Sequence, residues 1–350
     1  MSSFIDKREQ EWYINDVILM HSQIKIRRLD KMKTIWLVVP CYNEEEALPF
    51  FYAEISRVAA EMQAVDFEFL FINDGSKDGT LRILRELALK DKRVRYVSFS
   101  RNFGKESAMF AGFEHAKGDY IAVMDADLQD PPSLLPEMLG YIENEGYDSV
   151  ATKRSTRKGE PVIRSFFARC FYKIINKISK TQMVSGARDY VLMKRRVMES
   201  ILALPEYNRF TKGIYNWVGY NTKWISYENV QRVAGTTKWS FWKLFKYSLE
   251  CIVAFSTAPL SIASFFGFLF CLISIIGIIV VIVRQFAGVA SVAGWPSLVC
   301  VILFVSGIQL FCMGILGMYL SKTYLETKKR PMYFASETDE DVRRNIKEQY

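Results

Sequence analysis

The chain has 350 residues, half of them apolar and 24% charged, with a mean hydropathy of +0.03; this is material for one large domain or two ordinary ones and excludes a disordered chain. The formal charge of +8 is divided unevenly: residues 1–150 carry 18 Lys and Arg against 26 Asp and Glu, residues 151–250 carry 20 against 6, and residues 251–350 carry 8 against 6. That division excludes a uniformly basic coat for nucleic acid, and six cysteines with no CxxC pair, beside two histidines, argue against a zinc site or disulfide framework.

Residues 1–33 form a polar, weakly periodic extension with no functional reading; Met32 is an alternative start or the end of a helical extension. From residue 34 the pattern alternates. Strand-like runs at Ile35–Val39, Phe67–Ile72, Val94–Ser98 and Tyr120–Met124 are separated by helical patterns at Glu45–Met62, Thr80–Lys90, Lys105–Ala116 and Pro132–Asn144. Repeated β-then-α units predict an α/β domain with a mostly parallel, Rossmann-like sheet covered on both faces. Ligands of such sheets bind beyond the carboxyl ends of the strands. Every predicted strand here ends in polar, turn-forming sequence, as in Pro40-Cys41-Tyr42-Asn43-Glu44 and Asn73-Asp74-Gly75-Ser76.

Asp125-x-Asp127 follows the fourth strand. Two carboxylates at a strand end can share a hard divalent cation, Mg²⁺ or Mn²⁺, leaving positions for diphosphate oxygens and water. The same residues before Pro131-Pro132 also suit a helix cap and turn. Asp74 reads either as an Asx-turn residue or as an acceptor for a base edge, and Lys105 either as a solvated lysine or as a cation aimed at a diphosphate.

Val162–Thr181 places Ile163, Phe167, Cys170, Phe171, Ile174 and Ile178 on one helical face and Arg169, Lys173, Lys177 and Lys180 on another. This predicts a basic amphipathic helix over 162–181 in a membrane interface, each cation near anionic lipid contributing about 1 kcal/mol; a surface helix packed on the sheet is the alternative. Nucleic acid is disfavoured as partner because the cations lie on a Phe- and Ile-rich helix. Residues 239–258 predict a second, juxtamembrane amphipathic helix. Within 259–321, the runs at about 260–283 and 298–320 are each long enough to cross a hydrocarbon core of about 30 Å. Lys238, Lys243 and Lys246 before the first run, and Lys322, Lys328, Lys329 and Arg330 after the second, place both termini in the cytoplasm by the positive-inside rule. With no secretory signal, the preceding domain is expected on that side too, and 322–350 reads as a cytoplasmic tail.

VPCYNEEE, INDGSKDGT, SRNFGKE and MDADLQDPP, in this order and spacing, resemble the inverting GT-A glycosyltransferases that charge polyprenyl phosphates. The resemblance is closest to bactoprenol (undecaprenyl-phosphate) glucosyltransferases of bacterial O-antigen modification and more distant to dolichol-phosphate mannose synthases. It continues through VGYNTKW, VAGTTKW, FSTAPL and YLETKKRP, covering about 33–333. It implies a GT-A domain over 34–238 on a multi-pass protein of the bacterial inner membrane, and a homo-oligomer, by resemblance a tetramer. It implies that Asp74 contacts the uracil of a UDP-sugar, with Pro40, Tyr42 and Glu44 lining that pocket. Asp125 and Asp127 would hold Mg²⁺ or Mn²⁺ against the diphosphate, with Gln129 close by. Lys105, Arg232 and Lys238 would face the diphosphate, the last two on a closing loop. Arg154 and Arg169 would grip the acceptor phosphate, a task a guanidinium fork does better than lysine. Asp189 takes the position of the catalytic carboxylate, although Gly186-Ala187-Arg188-Asp189-Tyr190 departs from the GDF-like reading of relatives.

The activity implied is transfer of a hexose, glucose by the closest resemblance, from a UDP-sugar to undecaprenyl phosphate; UDP-GlcNAc or another nucleotide sugar is an alternative donor. A processive polysaccharide synthase shares the GT-A half but normally has more spans and a Gln-x-x-Arg-Trp motif, which is absent here. A non-catalytic membrane scaffold is disfavoured by the intact Asp74, Asp125 and Asp127.

Overall fold

A computed structural model describes residues 32–155, 162–179, 181–228, 241–287 and 294–349. Residues 1–31, Lys180, Arg232 and Lys238 lie outside them, so the expectations for the extension and the closing loop fall outside the described residues. The first four strands are β1 (Lys33–Cys41), β2 (Val65–Asn73), β3 (Val94–Phe99) and β4 (Tyr120–Val123). They pair in parallel in the order β3-β2-β1-β4. Successive residues of β1 point to opposite faces: Ile35, Leu37 and Val39 join one hydrophobic cluster, Trp36 and Val38 the other. A strand buried on both sides has no polar alternation, which is why β1 reads Ile-Trp-Leu-Val-Val.

Helices α1 (Leu48–Glu61), α2 (Thr80–Lys90) and α4 (Leu135–Asn144) cover the first face, and α3 (Lys105–His115) covers the second. Small residues let α3 lie close: a Cβ on Gly112 would sit 2.1 Å from Cγ1 of Val38. That close approach fixes where Lys105, the first residue of α3, is presented. Beyond β4 the sheet continues through β6 (Ala187–Lys194) and β5 (Ser149–Arg154), paired antiparallel, to β7 (Thr222–Tyr227), parallel to β5. Between them run α5 (Val162–Ile178), α6 (Arg195–Leu202) and α7 (Thr211–Trp217).

Helix α5 ends at Ile178. Its Ile175 is buried with Met183 and with Cys251 of α8 (Phe241–Phe255), and Phe171, Ile178 and Phe255 pack around them. Part of the apolar stripe is thus committed to α8, not to the sheet. Phe167 and Ile174 stay about half exposed, beside exposed Arg169, Lys173 and Lys177.

Two long helices follow, α9 (Ala258–Phe286) of 29 residues and α10 (Trp295–Thr327) of 33. Ala258–Gly277 and Phe304–Thr327 are long and apolar enough to cross a membrane, and they present their apolar side chains outward. The lower end of α10 grips the sheet domain: the Glu326 carboxylate accepts the backbone N–H groups of Tyr207 and Asn208, each at 2.9 Å. The segment expected to trail as a tail instead turns back. β8 (Ala335–Thr338) adds an antiparallel edge to β3, and α11 (Asp339–Gln349) lies against α2. Among the described residues the sheet has eight strands in the order β7-β5-β6-β4-β1-β2-β3-β8.

Candidate active site

The carboxyl ends of β1 to β4 bring four loops together. The loops after β1 and β2 are zipped side by side: Asn43 N–H donates to Ser76 Oγ at 2.9 Å, Lys77 N–H to Asn43 Oδ1 at 2.8 Å, and Glu44 N–H to Thr80 Oγ1 at 2.8 Å. Asn43 has a left-handed φ of 55°, a conformation Asn tolerates better than most residues. Pro40, Tyr42 and Glu44 are half-buried along this seam.

Asp74, only 3% exposed, has a task beyond the base edge expected of it. Its carboxylate accepts Phe103 N–H at 2.6 Å, Gly104 N–H at 2.9 Å and Asn102 Nδ2 at 2.9 Å, so it holds the loop after β3. Burial lifts its carboxyl above the usual range, and the Phe103 and Gly104 amides offset part of that rise. The loops touch closely at Gly75, whose Cβ would fall 2.3 Å from the carbonyl carbon of Arg101. Gly104, with φ 100° and ψ 157°, occupies a backbone region open essentially to glycine alone, and it launches α3.

Lys105 sits between two carboxylates: its Nζ lies 2.6 Å from Asp125 Oδ1 and 2.6 Å from Asp189 Oδ2. Lys212 of α7 approaches the same Asp189 oxygen at 3.6 Å. Burial alone would raise the Asp189 carboxyl, but the charges of Lys105, Lys212 and Arg188 outweigh it and hold the group well below the carboxylate range. Burial likewise disfavours the Lys105 cation, and Asp125 and Asp189 more than compensate, raising it. Asp189 therefore stays ionised throughout the neutral range. Asp127, 8% exposed, accepts Gln129 N–H at 3.2 Å, and the turn between them carries Leu128 at φ 55°.

The donor set fits a hard divalent cation. Asp125 and Asp127 offer carboxylate oxygens at one strand end, and no group of three His, Cys, Asp or Glu side chains gathers among the described residues. Two carboxylates, with the remaining positions open to phosphate oxygens and water, is the pattern magnesium-type sites use.

Behind this loop lies a polar cluster the sequence reading did not foresee. Arg188 Nε donates to Asp130 Oδ1 at 2.8 Å, and the Tyr227 hydroxyl donates to the same oxygen. Asp130 is fully buried, with Arg188 16% exposed. The only local signals were the Asp after Gln129 and the Arg that breaks the expected motif beside Asp189. Arg154 and Arg188 each reach Gln129 Oε1 at 3.4 Å, so Arg154 is brought to the carboxylate loop. Arg169 is not: it is exposed on α5, and no hydrogen bond or ion pair among the described residues ties it to that loop. Lys212 and Arg188 are the site cations that sequence reasoning missed.

A family model described as glycosyl transferase family 2 matches residues 36–202. The chain is 42% identical over 310 residues to the putative glycosyltransferase CsbB of Bacillus subtilis (strain 168), covering 88% of this chain and 93% of that protein. It is 44% identical over 299 residues to the prophage bactoprenol glucosyl transferase homolog of Escherichia coli (strain K12), and 43% identical over 299 residues to the bactoprenol glucosyl transferase of Shigella phage SfX. Both matches cover 85% of this chain and 97% of the relative. Among solved structures, mannosyl-3-phosphoglycerate synthase from Rubrobacter xylanophilus is similar at a TM-score of 0.44 and 17% identity, over 65% of this chain and 73% of that one.

Proposed function

The chain belongs to glycosyl transferase family 2, and we propose that it transfers glucose from UDP-glucose to undecaprenyl phosphate. The transfer inverts the anomeric carbon, releases UDP and leaves a polyprenyl-linked sugar for cell-surface polysaccharide modification. The enzyme has the GT-A fold, a Rossmann-like, mostly parallel sheet with helices on both faces. The observation that carries the reading is the 43 to 44% identity to bactoprenol glucosyl transferases over 299 residues, a span too long to fall within residues 36–202 alone.

The chemistry follows from the cleft. The nucleophile is an oxygen of the acceptor phosphate, which with a second pKa near 6 is already largely ionised at neutral pH. No strong base is needed, and Asp189 does not act as one: paired to Lys105 and Lys212, it holds those ammonium groups in place. Lys105 faces the diphosphate and stabilises the charge that grows there as the glycosidic bond breaks. Asp125 and Asp127 would hold a divalent cation, which supplies further neutralisation of the leaving UDP. Pro40, Tyr42, Glu44 and Asp74 border the base end, Asp74 by fixing the loop that launches Lys105. Arg154 at Gln129 supports a grip on the incoming phosphate.

The helices α9 and α10 form a membrane hairpin. The pairing of β8 with β3 after the second helix supports a topology with both ends of the hairpin on the side of the catalytic domain. The flanking lysines make that side the cytoplasm. The exposed Phe167 and Ile174, next to Lys173 and Lys177, suit an anionic lipid surface.

The test is to incubate the purified full chain with undecaprenyl phosphate, Mg²⁺ or Mn²⁺, and labelled UDP-glucose, with UDP-GlcNAc, UDP-galactose and GDP-mannose in parallel. An acid-labile glucolipid is expected from UDP-glucose, and Asp127→Ala should abolish it while the protein remains membrane-inserted. Label transferred only from another donor would overturn the sugar assignment, and an active Asp127→Ala would overturn the metal assignment.

A further inference from the structure

The geometry points to Tyr333 and Phe334, on the segment returning from α10, as positioning residues that set Lys105 and the loop after β3 for the donor diphosphate. Tyr333 stacks on Phe99 at the end of β3, with centroids 4.7 Å apart and planes 23° apart. Phe99 meets Phe103 edge to face at 5.8 Å, and Phe334 lies against Phe103 at 6.2 Å with the rings tilted by 53°. Arg101 completes the stack, its guanidinium 3.9 Å from the centre of the Phe103 ring. The backbone is tied as well, for Ser100 N–H donates to the Phe334 carbonyl at 2.9 Å. The Tyr333 hydroxyl reaches the far end of α3, 3.2 Å from His115 Nε2. The returning segment thus braces α3 at both ends, and Phe103 and Gly104 are the residues whose amides Asp74 holds.

The sheet edge has other ties besides these contacts. The edge is secured farther along by the β8 ladder, by Glu337 with Arg85 and Tyr96, and by Arg343, which donates to the carbonyl of Val94 at 2.9 Å. The aromatic stack bears instead on a loop with little tolerance for error. Gly104 is in a conformation only glycine adopts freely, and Lys105 must reach Asp125 and Asp189 together. A ring pair with its packing limits the freedom of that loop, so donor affinity depends on the chain beyond the membrane hairpin.

This inference rests on the UDP-sugar reading of the same cleft, and two readouts separate them. In detergent-purified full-length protein, Tyr333→Ala should raise the KM for UDP-glucose about ten-fold with a smaller change in kcat. Tyr333→Phe, which keeps the ring and gives up only the hydroxyl contact with His115, should restore most of it. Should the alanine variant fail to fold, Tyr333→Leu keeps most of the volume and gives the same reading. Arg343→Ala, which loosens the same segment away from the loop, should lower thermal stability and leave KM unchanged. Hydrogen exchange of the peptide containing Phe103 and Gly104 should quicken in Tyr333→Ala and not in Arg343→Ala, whatever the donor. Unchanged exchange, or a loss of kcat with KM unmoved, overturns the positioning role. A parent chain that does not use UDP-glucose overturns the donor assignment, while exchange still decides this one.

Discussion

Replacing Asp74 by Asn tests whether one buried carboxylate organises the cleft. The side chains are nearly isosteric, so packing is preserved and the hydrogen bonds alone change. With its single oxygen at the Oδ2 position, the amide keeps the Gly104 and Asn102 donors but turns an NH₂ toward Phe103 N–H, now 2.6 Å from a carboxylate oxygen. One bond to a charged acceptor, about 1.5–3 kcal/mol, is lost, and two others weaken to neutral bonds, about 1 kcal/mol less each. The relief of no longer burying a charge offsets part of this, leaving a net cost of about 2–3 kcal/mol. For a domain of this size that lowers the thermal midpoint by about 4–12 °C. The assay is thermal unfolding of the full chain in detergent followed by near-ultraviolet circular dichroism, with UDP-glucose titration below the transition. Donor affinity should fall with stability, because the same amides lead into Lys105. A variant that unfolds within about 1 °C of the parent and binds UDP-glucose equally well would refute the assignment of Asp74 as the post that holds the β3–α3 loop.

Three further outcomes are expected. Arg188→Met leaves the fully buried Asp130 with the Tyr227 hydroxyl as its hydrogen-bond partner among the described residues and should cost about 3–5 kcal/mol in denaturant unfolding; Asp130→Leu in the same chain should return much of it. Gly104→Ala meets no atom within 4 Å of its new Cβ, so its cost is backbone strain alone, about 1–3 kcal/mol, together with reduced transfer by the labelled-sugar assay. Because the Asp189 carboxyl is depressed in the folded state, its stabilisation is present above the unfolded value of about 3.9 and is lost only as pH falls through the lower folded value. The thermal midpoint gap between the parent and Asp189→Asn should therefore be the same at about pH 7 and pH 5, and a gap that closes by about pH 5 would contradict the ion-pair geometry.

The parallel half of the sheet was readable because its signals are local. The runs at Ile35–Val39 and Phe67–Ile72 lie inside β1 and β2, and the helix expected at Thr80–Lys90 is α2 to the residue. Helix α1 begins at Leu48, not Glu45, because Glu44 to Ala47 are spent in a turn that serves the zipped loops. The carboxylate pair was legible for the same reason, being two residues in one loop. The polar cluster behind it was not, since Asp130, Arg188 and Tyr227 come from three distant stretches and meet only once β6 and β7 are in the sheet. Asp74 illustrates a different limit: a turn role and a ligand role predict the same residue type, whereas its carboxylate holds a neighbouring loop and the local turn bond to Ser76 N–H is made by Asn73. The pairing of Arg154 with Arg169 came from the family resemblance; in the fold Arg154 reaches Gln129, while Arg169 is exposed on α5. Nothing in Ala335–Thr338 announces a strand, because four residues with two exposed lack the alternation that marks longer ones.

The strand formed by those four residues has a consequence for how the enzyme is made. Ser336 donates to the carbonyl of Ser98, a contact spanning 238 residues of chain. A ribosome releases β3 long before β8 exists, at rates of about 5–20 residues per second. Through that interval β3 is an open edge, with unpaired N–H and C=O groups of the kind that recruit foreign strands. The edge closes only after both apolar helices have been synthesised and β8 has paired with β3. On the proposed hairpin topology, completion of the catalytic sheet reports that the hairpin has been inserted the right way round, and a chain whose second helix fails to cross carries an unfinished sheet to the quality-control machinery.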